Sequence, residues 1–174
     1  KEDHKKPFVG IANSFNNIVP GHLHLNELTE EVVRGVRDAG GVPFVWGVPA
    51  VCDGIAMYVE MRLSLPSREH IADNVELMTL SHSLDGWVGV TNCDKITPGM
   101  LMSAMRLNLP AIMLTGGPMM AGEYKGDKLD LISCFEDVGK VRSGTLDESD
   151  AESRAKSACP GPGSCAGLFT ANTM

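Results

Sequence analysis

Trp87-Val-Gly-Val-Thr-Asn-Cys-Asp-Lys-Ile-Thr-Pro-Gly99 changes character twice. Trp87–Val90 is an apolar run that reads as a strand. Thr91-Asn-Cys-Asp-Lys then sets a soft thiolate, a hard carboxylate and an amine side by side. Pro98-Gly99 opens a short Met-rich helix, Gly99–Leu107, whose methionines read as packing. Strand, polar turn and helix in that order make one βα unit. Soft sulfur selects iron–sulfur clusters, zinc or copper, whereas carboxylate oxygen selects magnesium, calcium or manganese. Two unlike metals at one site suit this pairing better than either alone. A buried cysteine beside a surface ion pair is the other reading of the same residues.

The same alternation extends in both directions. Phe8–Ala12 reads as strand one. Asn26–Ala39 reads as a helix with Asn26 as N-cap, apolar positions at Leu28, Val32, Val33 and Val36, and Gly40-Gly41 as the stop. Val42–Val51 contains strand two, its paired length restricted by Pro43 and Pro49. Ser67–Ser81 reads as a helix burying Ile71, Val75 and Met78. Ala111–Leu114 is strand four, and Leu146–Ser157 a charged, exposed helix preceded by a looser stretch around Gly126–Gly144. The fold class is α/β: a mostly parallel sheet flanked by helices, with residues 1–174 forming one domain. Ligands in such sheets bind beyond the carboxyl ends of the strands. Asn13, Cys52-Asp53, Cys93-Asp94-Lys95 and Gly116-Gly117 each follow a strand, so their polar residues converge on one edge.

Bulk properties narrow the function. The chain has 174 residues, 43% hydrophobic and 21% charged, which suits a soluble globular domain. A net charge of −7 without a lysine/arginine cluster argues against nucleic acid as a partner. No stretch reaches the about 18 apolar residues of a membrane span, and the start lacks a signal-peptide core. Five cysteines, an odd number without close regular spacing, point to a reducing, cytoplasmic compartment. The first residue is not Met and the last residues read as part of a helix, so a longer parent protein is expected.

The remaining motifs carry paired readings. If desolvation frees Lys95 of its proton, the neutral amine takes up carbon dioxide. The resulting carbamate is an oxygen ligand suited to magnesium, with Asp94 and Asp53 as further oxygen donors. Cys159 and Cys165 have five residues between them, not the two of a zinc ribbon. Their Gly/Pro loop allows close backbone approach to a cluster, or is a rigid turn with unreactive thiols. Cys134 sits among apolar neighbours and reads as core. His22 and His24 share one face of an extended segment, as ligands or, by the favoured reading, as hydrogen-bonding groups. Ser64 or Ser67 caps the helix that follows, and Arg68 either belongs to that helix or orients a substrate carboxylate. Gly116-Gly117-Pro118 is a turn whose amides suit an anion, while no nucleotide-binding glycine pattern is present.

Taken together, these stretches resemble the dihydroxy-acid and 6-phosphogluconate dehydratase family. The matching segments are Asn13-Ser14-Phe15 with Val19-Pro-Gly-His-Leu-His-Leu25, Cys52-Asp-Gly-Ile-Ala-Met57, Ser64-Leu-Pro-Ser-Arg-Glu-His-Ile-Ala-Asp73, Asn92-Cys-Asp-Lys-Ile-Thr-Pro-Gly-Met100, Gly116-Gly-Pro118, and Cys159-Pro-Gly-Pro-Gly-Ser-Cys165 through Thr170-Ala-Asn172. They follow the family's order and lean towards its dihydroxy-acid branch. The resemblance implies the N-terminal domain of a two-domain dehydratase, truncated at its C-terminus. It implies an iron–sulfur cluster, [2Fe–2S] or [4Fe–4S], with Cys93 and Cys165 as ligands and Cys52 or Cys159 as the third. It implies magnesium held by Asp53, Asp94 and carbamylated Lys95, so that Asp94 and Lys95 act in catalysis. Ser67 and Arg68 are the expected substrate-binding residues.

The implied reaction removes water from a small 2,3-dihydroxy acid to give a 2-keto acid, in branched-chain amino-acid synthesis, by a cytoplasmic homodimer. A sugar-acid dehydratase and a non-catalytic metal-binding module are the alternatives. Some members carry a cysteine ligand where this chain has Gly21. The loop Met57-Tyr-Val-Glu-Met-Arg-Leu63 is shorter than the family's and lacks its glycines. The family's serine base and last metal-ligand glutamate belong to its C-terminal part, so these residues alone are expected not to catalyse the dehydration.

Overall fold

The computed structural model describes residues 3–57, 59–167 and 169–174. Tyr58 of the shortened loop and Leu168, in the segment after Cys165, lie outside those residues, as do Lys1 and Glu2.

Four parallel strands form the centre, β1 (Phe8–Asn13), β2 (Val42–Gly47), β3 (Gly86–Thr91) and β4 (Ala111–Thr115), in the order β2-β1-β3-β4. The expected parallel sheet is therefore present. The chain winds outward from β1 to β2, then returns to place β3 on the other side of β1. The strand order reverses between β1 and β3, which is where open α/β sheets form a crevice. Every residue of β3 is buried, which explains the unbroken apolar run in its sequence. Pro43 pairs in register with Val9. It is tolerated because β2 is an edge strand, where a missing N–H can face away from the ladder.

Helices cover both faces. Helix α1 (Leu25–Asp38) brings Leu25, Leu28, Val32 and Val33 against Ile11, Val88 and Val90. On the opposite face, α2 (Ser64–Ser81) and α3 (Ile96–Leu107) bring Ile71, Val75, Ile96 and Met100 against Ala12 and Trp87. Neighbouring residues Ile11 and Ala12 thus serve opposite faces, as strand pleating requires. A Cβ on Gly99 would lie 2.8 Å from the Arg68 carbonyl oxygen. Glycine there lets α3 cross α2 closely.

Several local expectations are corrected. His24, not Asn26, occupies the N-cap position of α1. The Asn26 side chain instead accepts a hydrogen bond from Asn13 at 2.8 Å. Helix α2 starts at Ser64, and neither Ser64 nor Ser67 caps it: Leu63 holds the cap position without a side-chain bond. Ile71 and Val75 are fully buried as expected, whereas Met78 is half-buried and Thr79 takes the interior position. Helix α3 starts at Ile96, ahead of Pro98, because the first turn needs no donor from proline. His22 closes a 3₁₀ turn, Pro20–His22, so His22 and His24 do not share an extended face.

The stretch expected to be loose is ordered. A small antiparallel hairpin, β5 (Gly122–Tyr124) and β6 (Asp127–Leu129), leads into helix α4 (Leu131–Arg142) and then α5 (Glu148–Ser157). Asp130 and Ser133 open α4 with reciprocal bonds: Ser133 N–H donates to Asp130 at 2.9 Å, and Asp130 N–H donates to Ser133 at 3.2 Å. Asp137 on α4 is buried and accepts from Arg154 at 2.6 Å and Lys140 at 3.1 Å, while Arg154 also donates to Asp127 at 3.0 Å. Cys134 is not core: it is partly exposed on α4, its thiol 3.5 Å from the Asp130 carbonyl.

Beyond α5 the chain returns to the sheet edge. Ser164 and Pro118 form a parallel bridge, with Met119 N–H donating to the Ser164 carbonyl at 2.6 Å and Ser164 N–H to the Gly117 carbonyl at 2.9 Å. The last element is the short α6 (Thr170–Thr173). Among the described residues, no helix is long and apolar enough to cross a membrane.

Candidate metal centre

Past the carboxyl end of β3, the chain turns through Asn92 and Cys93 into α3. Cys93 has φ of +65°. That left-handed conformation costs a residue with a Cβ roughly 1–2 kcal/mol, so surrounding contacts must hold it. The turn aims Cys93 into a cavity of about 190 Å³ that is also lined by Cys52, Cys159, Cys165, Gly21 and Leu131. Four thiols from three segments of the chain therefore line one space. It is smaller than the roughly 300–1,000 Å³ usual for organic ligands. None of the five cysteines is paired in a disulfide.

Burial pushes the Cys93 thiol far up, and charge on Cys52 and Cys165, then on Asp94 and Asp53, adds to the effect. Burial likewise raises Cys165 to about 11, with Cys52 and Cys159 next in effect. Cys159 is raised by burial, then by Asp130 and Cys52. Cys93, Cys165 and Cys159 are thus held protonated and resist sharing negative charge. A bound cationic group reverses that balance and draws the protons off. Soft donors in a small cavity of low polarity fit an iron–sulfur cluster. A Cβ on Gly21 would stand 3.3 Å from the Cys93 sulfur. The position at which some relatives of the family place a cysteine therefore adjoins this cavity.

A polar cluster adjoins the thiols. Lys95 Nζ donates to Asp53 Oδ2 at 2.8 Å, both side chains about one-fifth exposed (22%). Ser64 donates to the other Asp53 oxygen, a role that no sequence signal marked, because its partner lies in a separate loop. Asp94 Oδ1 accepts from the Ala171 amide at 2.8 Å and anchors α6. Among the described residues, no group of three or more His, Cys, Asp or Glu side chains is drawn together as a ready-made metal site. Asp53 and Asp94 are hard oxygen donors that fit magnesium. Lys95 fits only as a carbamate, since an ammonium group offers no lone pair.

The other expected residues make contacts within the fold. Ser67 donates to the Ser64 carbonyl at 2.6 Å, and Arg68 pairs with Glu69 at 2.7 Å while its buried Nε has no partner. His22 is fully buried and its Nδ1–H donates to the Ser14 carbonyl at 2.6 Å. Burial holds it neutral below the usual imidazole value, with the Ser14 bond opposing. His24 Nε2–H donates to the Gly116 carbonyl at 2.8 Å. The Gly116 amide donates to Thr91, which withdraws it from the anion-binding role expected of this turn.

Comparison with known proteins agrees with this architecture. Residues 6–174 match the family model described as Dihydroxy-acid/6-phosphogluconate dehydratase N-terminal. Curated relatives named dihydroxy-acid dehydratase are 58% identical over 174 residues in Methanothermobacter thermautotrophicus, 57% over 173 in Methanobrevibacter smithii and 53% over 176 in Thermodesulfovibrio yellowstonii. These alignments cover 99–100% of this chain. The chain spans about a third of the length of those relatives, 32% in each case.

Proposed function

The chain belongs to the dihydroxy-acid/6-phosphogluconate dehydratase family, and from that premise we propose that it forms the metal-binding part of a hydro-lyase. Joined to the further length its relatives possess, it removes water from a 2,3-dihydroxy acid to give a 2-keto acid. The observation that carries the reading is the convergence of Cys52, Cys93, Cys159 and Cys165 on one small cavity beside the Asp53–Lys95 pair.

Cys93 and Cys165, with Cys52 or Cys159, hold an iron–sulfur cluster. Asp53, Asp94 and carbamylated Lys95 hold magnesium. When bound, these groups supply Lewis acidity towards the substrate's carboxylate and hydroxyls. The chain's own residues set the stage. Ser64 fixes one oxygen of Asp53 and so fixes the direction of the other. Lys95 releases one proton to solvent to free its lone pair and forms a C–N bond to carbon dioxide as one C=O π pair moves onto oxygen. A second proton then leaves the nitrogen, so that an anionic oxygen donor replaces a cation beside Asp53. Arg68, with Ser67 on the same turn of α2, supplies the guanidinium suited to a substrate carboxylate. The apolar wall at Val19, Ile55 and Leu131 limits water at the thiols.

The 2-keto products serve isoleucine and valine synthesis, and the protein works as a cytoplasmic homodimer. Its unpaired cysteines suit a reducing compartment. The test is anaerobic purification of the full protein, with iron, sulfide and magnesium counted per chain, followed by assay on 2,3-dihydroxyisovalerate and on aldonic acids. Iron and sulfide with 2-keto acid formed from dihydroxyisovalerate are expected. Turnover of aldonic acids alone, or full activity without iron, overturns the proposal.

A further inference from the structure

Asn92 stands between β3 and Cys93 and is almost fully buried, 1% exposed. Its side chain meets three separate pieces of backbone. Nδ2 donates to the Gly21 carbonyl at 2.8 Å and, more weakly, to the Gly117 carbonyl at 3.3 Å. Oδ1 accepts from the Cys93 amide at 3.2 Å. Gly21 and Cys93 themselves line the thiol cavity. Gly117 in turn accepts from Ser164, the neighbour of Cys165. One amide side chain therefore ties together the loops that carry two of the four thiols and the glycine facing them.

The backbone of Cys93 needs such a tie. Its φ of +65° is unfavourable for a residue with a Cβ, and a local side-chain acceptor on its N–H stabilises that turn. We infer that Asn92 is a positioning residue: it holds Cys93 in the left-handed conformation and keeps its thiol turned into the cavity opposite Gly21. The functional meaning of this role rests on the proposal that the cavity receives the cluster. The role itself is a property of the metal-free protein.

The experiment uses the full chain stripped of metal by a chelator, alkylated with iodoacetamide and analysed by peptide mapping, so that each cysteine is followed separately. Asn92→Ala removes all three bonds. Asn92→Asp keeps the acceptor for Cys93 but replaces the donor, and it serves where the alanine variant does not fold. Each buried bond left unmade shifts a local opening equilibrium by about tenfold. Cys93 is therefore expected to react on the order of tenfold faster in either variant, with Cys134, which lies on α4 outside the cavity lining and makes no bond to Asn92, unchanged. Equal acceleration at Cys93 and Cys134 means that the substitution only loosened the fold, and overturns the inference. An unchanged rate at Cys93 overturns it as well. Iron reconstitution of the unsubstituted chain is measured in parallel. Failure there, with selective acceleration at Cys93, rejects the cluster reading and leaves the positioning role standing.

Discussion

The sheet with α1–α3 and the excursion from β5 to α5 are held together by different physics. In the sheet, β3 is buried throughout, and Trp87, Ile71, Val75, Ile96 and Met100 pack without a charge among them. In the excursion, α5 buries no residue completely and α4 buries only Asp137, a carboxylate held by Arg154 and Lys140. Apolar side chains on α4, Ile132, Phe135 and Val138, face outward. The difference has a functional corollary. Where an apolar core does the holding, charged and thiol residues can collect at one edge and remain available for chemistry. Where charges do the holding, they are committed to structure.

Replacement of a charge in each region breaks or sharpens this contrast most directly. Lys95→Arg keeps a cation for Asp53 but cannot become a carbamate. It is expected to abolish turnover and weaken magnesium binding, as measured by calorimetry, while the melting temperature barely moves. High-resolution density showing unmodified Lys95 in an active, magnesium-loaded protein would defeat the idea. Next in size is Trp87→Ala, which empties the core of the sheet and is expected to cost about 3–5 kcal/mol in a urea titration.

Arg154→Met should cost less, about 1.5–3 kcal/mol, because Lys140 still pairs with Asp137. Hydrogen exchange should place that loss in β5 to α5 alone. Loss of protection in β1 and β3 would show that the two regions are not separable.

Acid should find the two regions at different pH. His22 is held neutral by burial, below the ordinary imidazole value of about 6.5. The unfolded chain takes up that proton as pH falls below about 6.5 and the folded chain does not, so the sheet weakens from there downwards. Asp137 behaves otherwise. Burial raises it, but the bonds from Arg154 and Lys140 outweigh burial and hold it below the ordinary carboxylate value of about 3.9. Its contribution is present above that value and is lost only as pH falls through the lower folded value. Exchange rates compared at pH 7 and pH 5 should therefore change near His22 and not near Asp137. The smallest effect belongs to Lys156→Ala, which removes an exposed i,i+4 pair with Glu152 and is expected to cost about 0.3–0.5 kcal/mol.

How much could be read from the residues follows the same division. All four sheet strands were legible, because each is an apolar run between breakers, although only the two central strands, β1 and β3, are largely buried. Helix α4 was not. Gly126, Gly139 and Gly144 suggested a loop, although Leu131, Ile132, Phe135 and Val138 already recur at helical spacing. Cys134 was misjudged for a related reason: its apolar neighbours in sequence are exposed in space. The meeting of Cys52, Cys93, Cys159 and Cys165 was partly foreseeable, since three of them follow a strand or end a glycine-rich loop. The partners of Asn92 and Ser64 were not, because Gly21 and Asp53 reach them only through the folded topology.

The bridge between Pro118 and Ser164 also sets an order of events during synthesis. Gly117, beside that bridge, and Ser164, 47 apart in sequence, must meet before Cys165 can join Cys93. A nascent chain emerging only as far as β4 carries Cys52 and Cys93 but neither of the other two cavity thiols. Closing so long a loop is slow relative to forming a local helix, and domains generally fold as units as they emerge. The four-thiol cavity is therefore completed only once the segment from Cys159 to Cys165 has closed back onto the sheet. A group that needs Cys165 as well as Cys93, such as the proposed cluster, has no complete site before that closure.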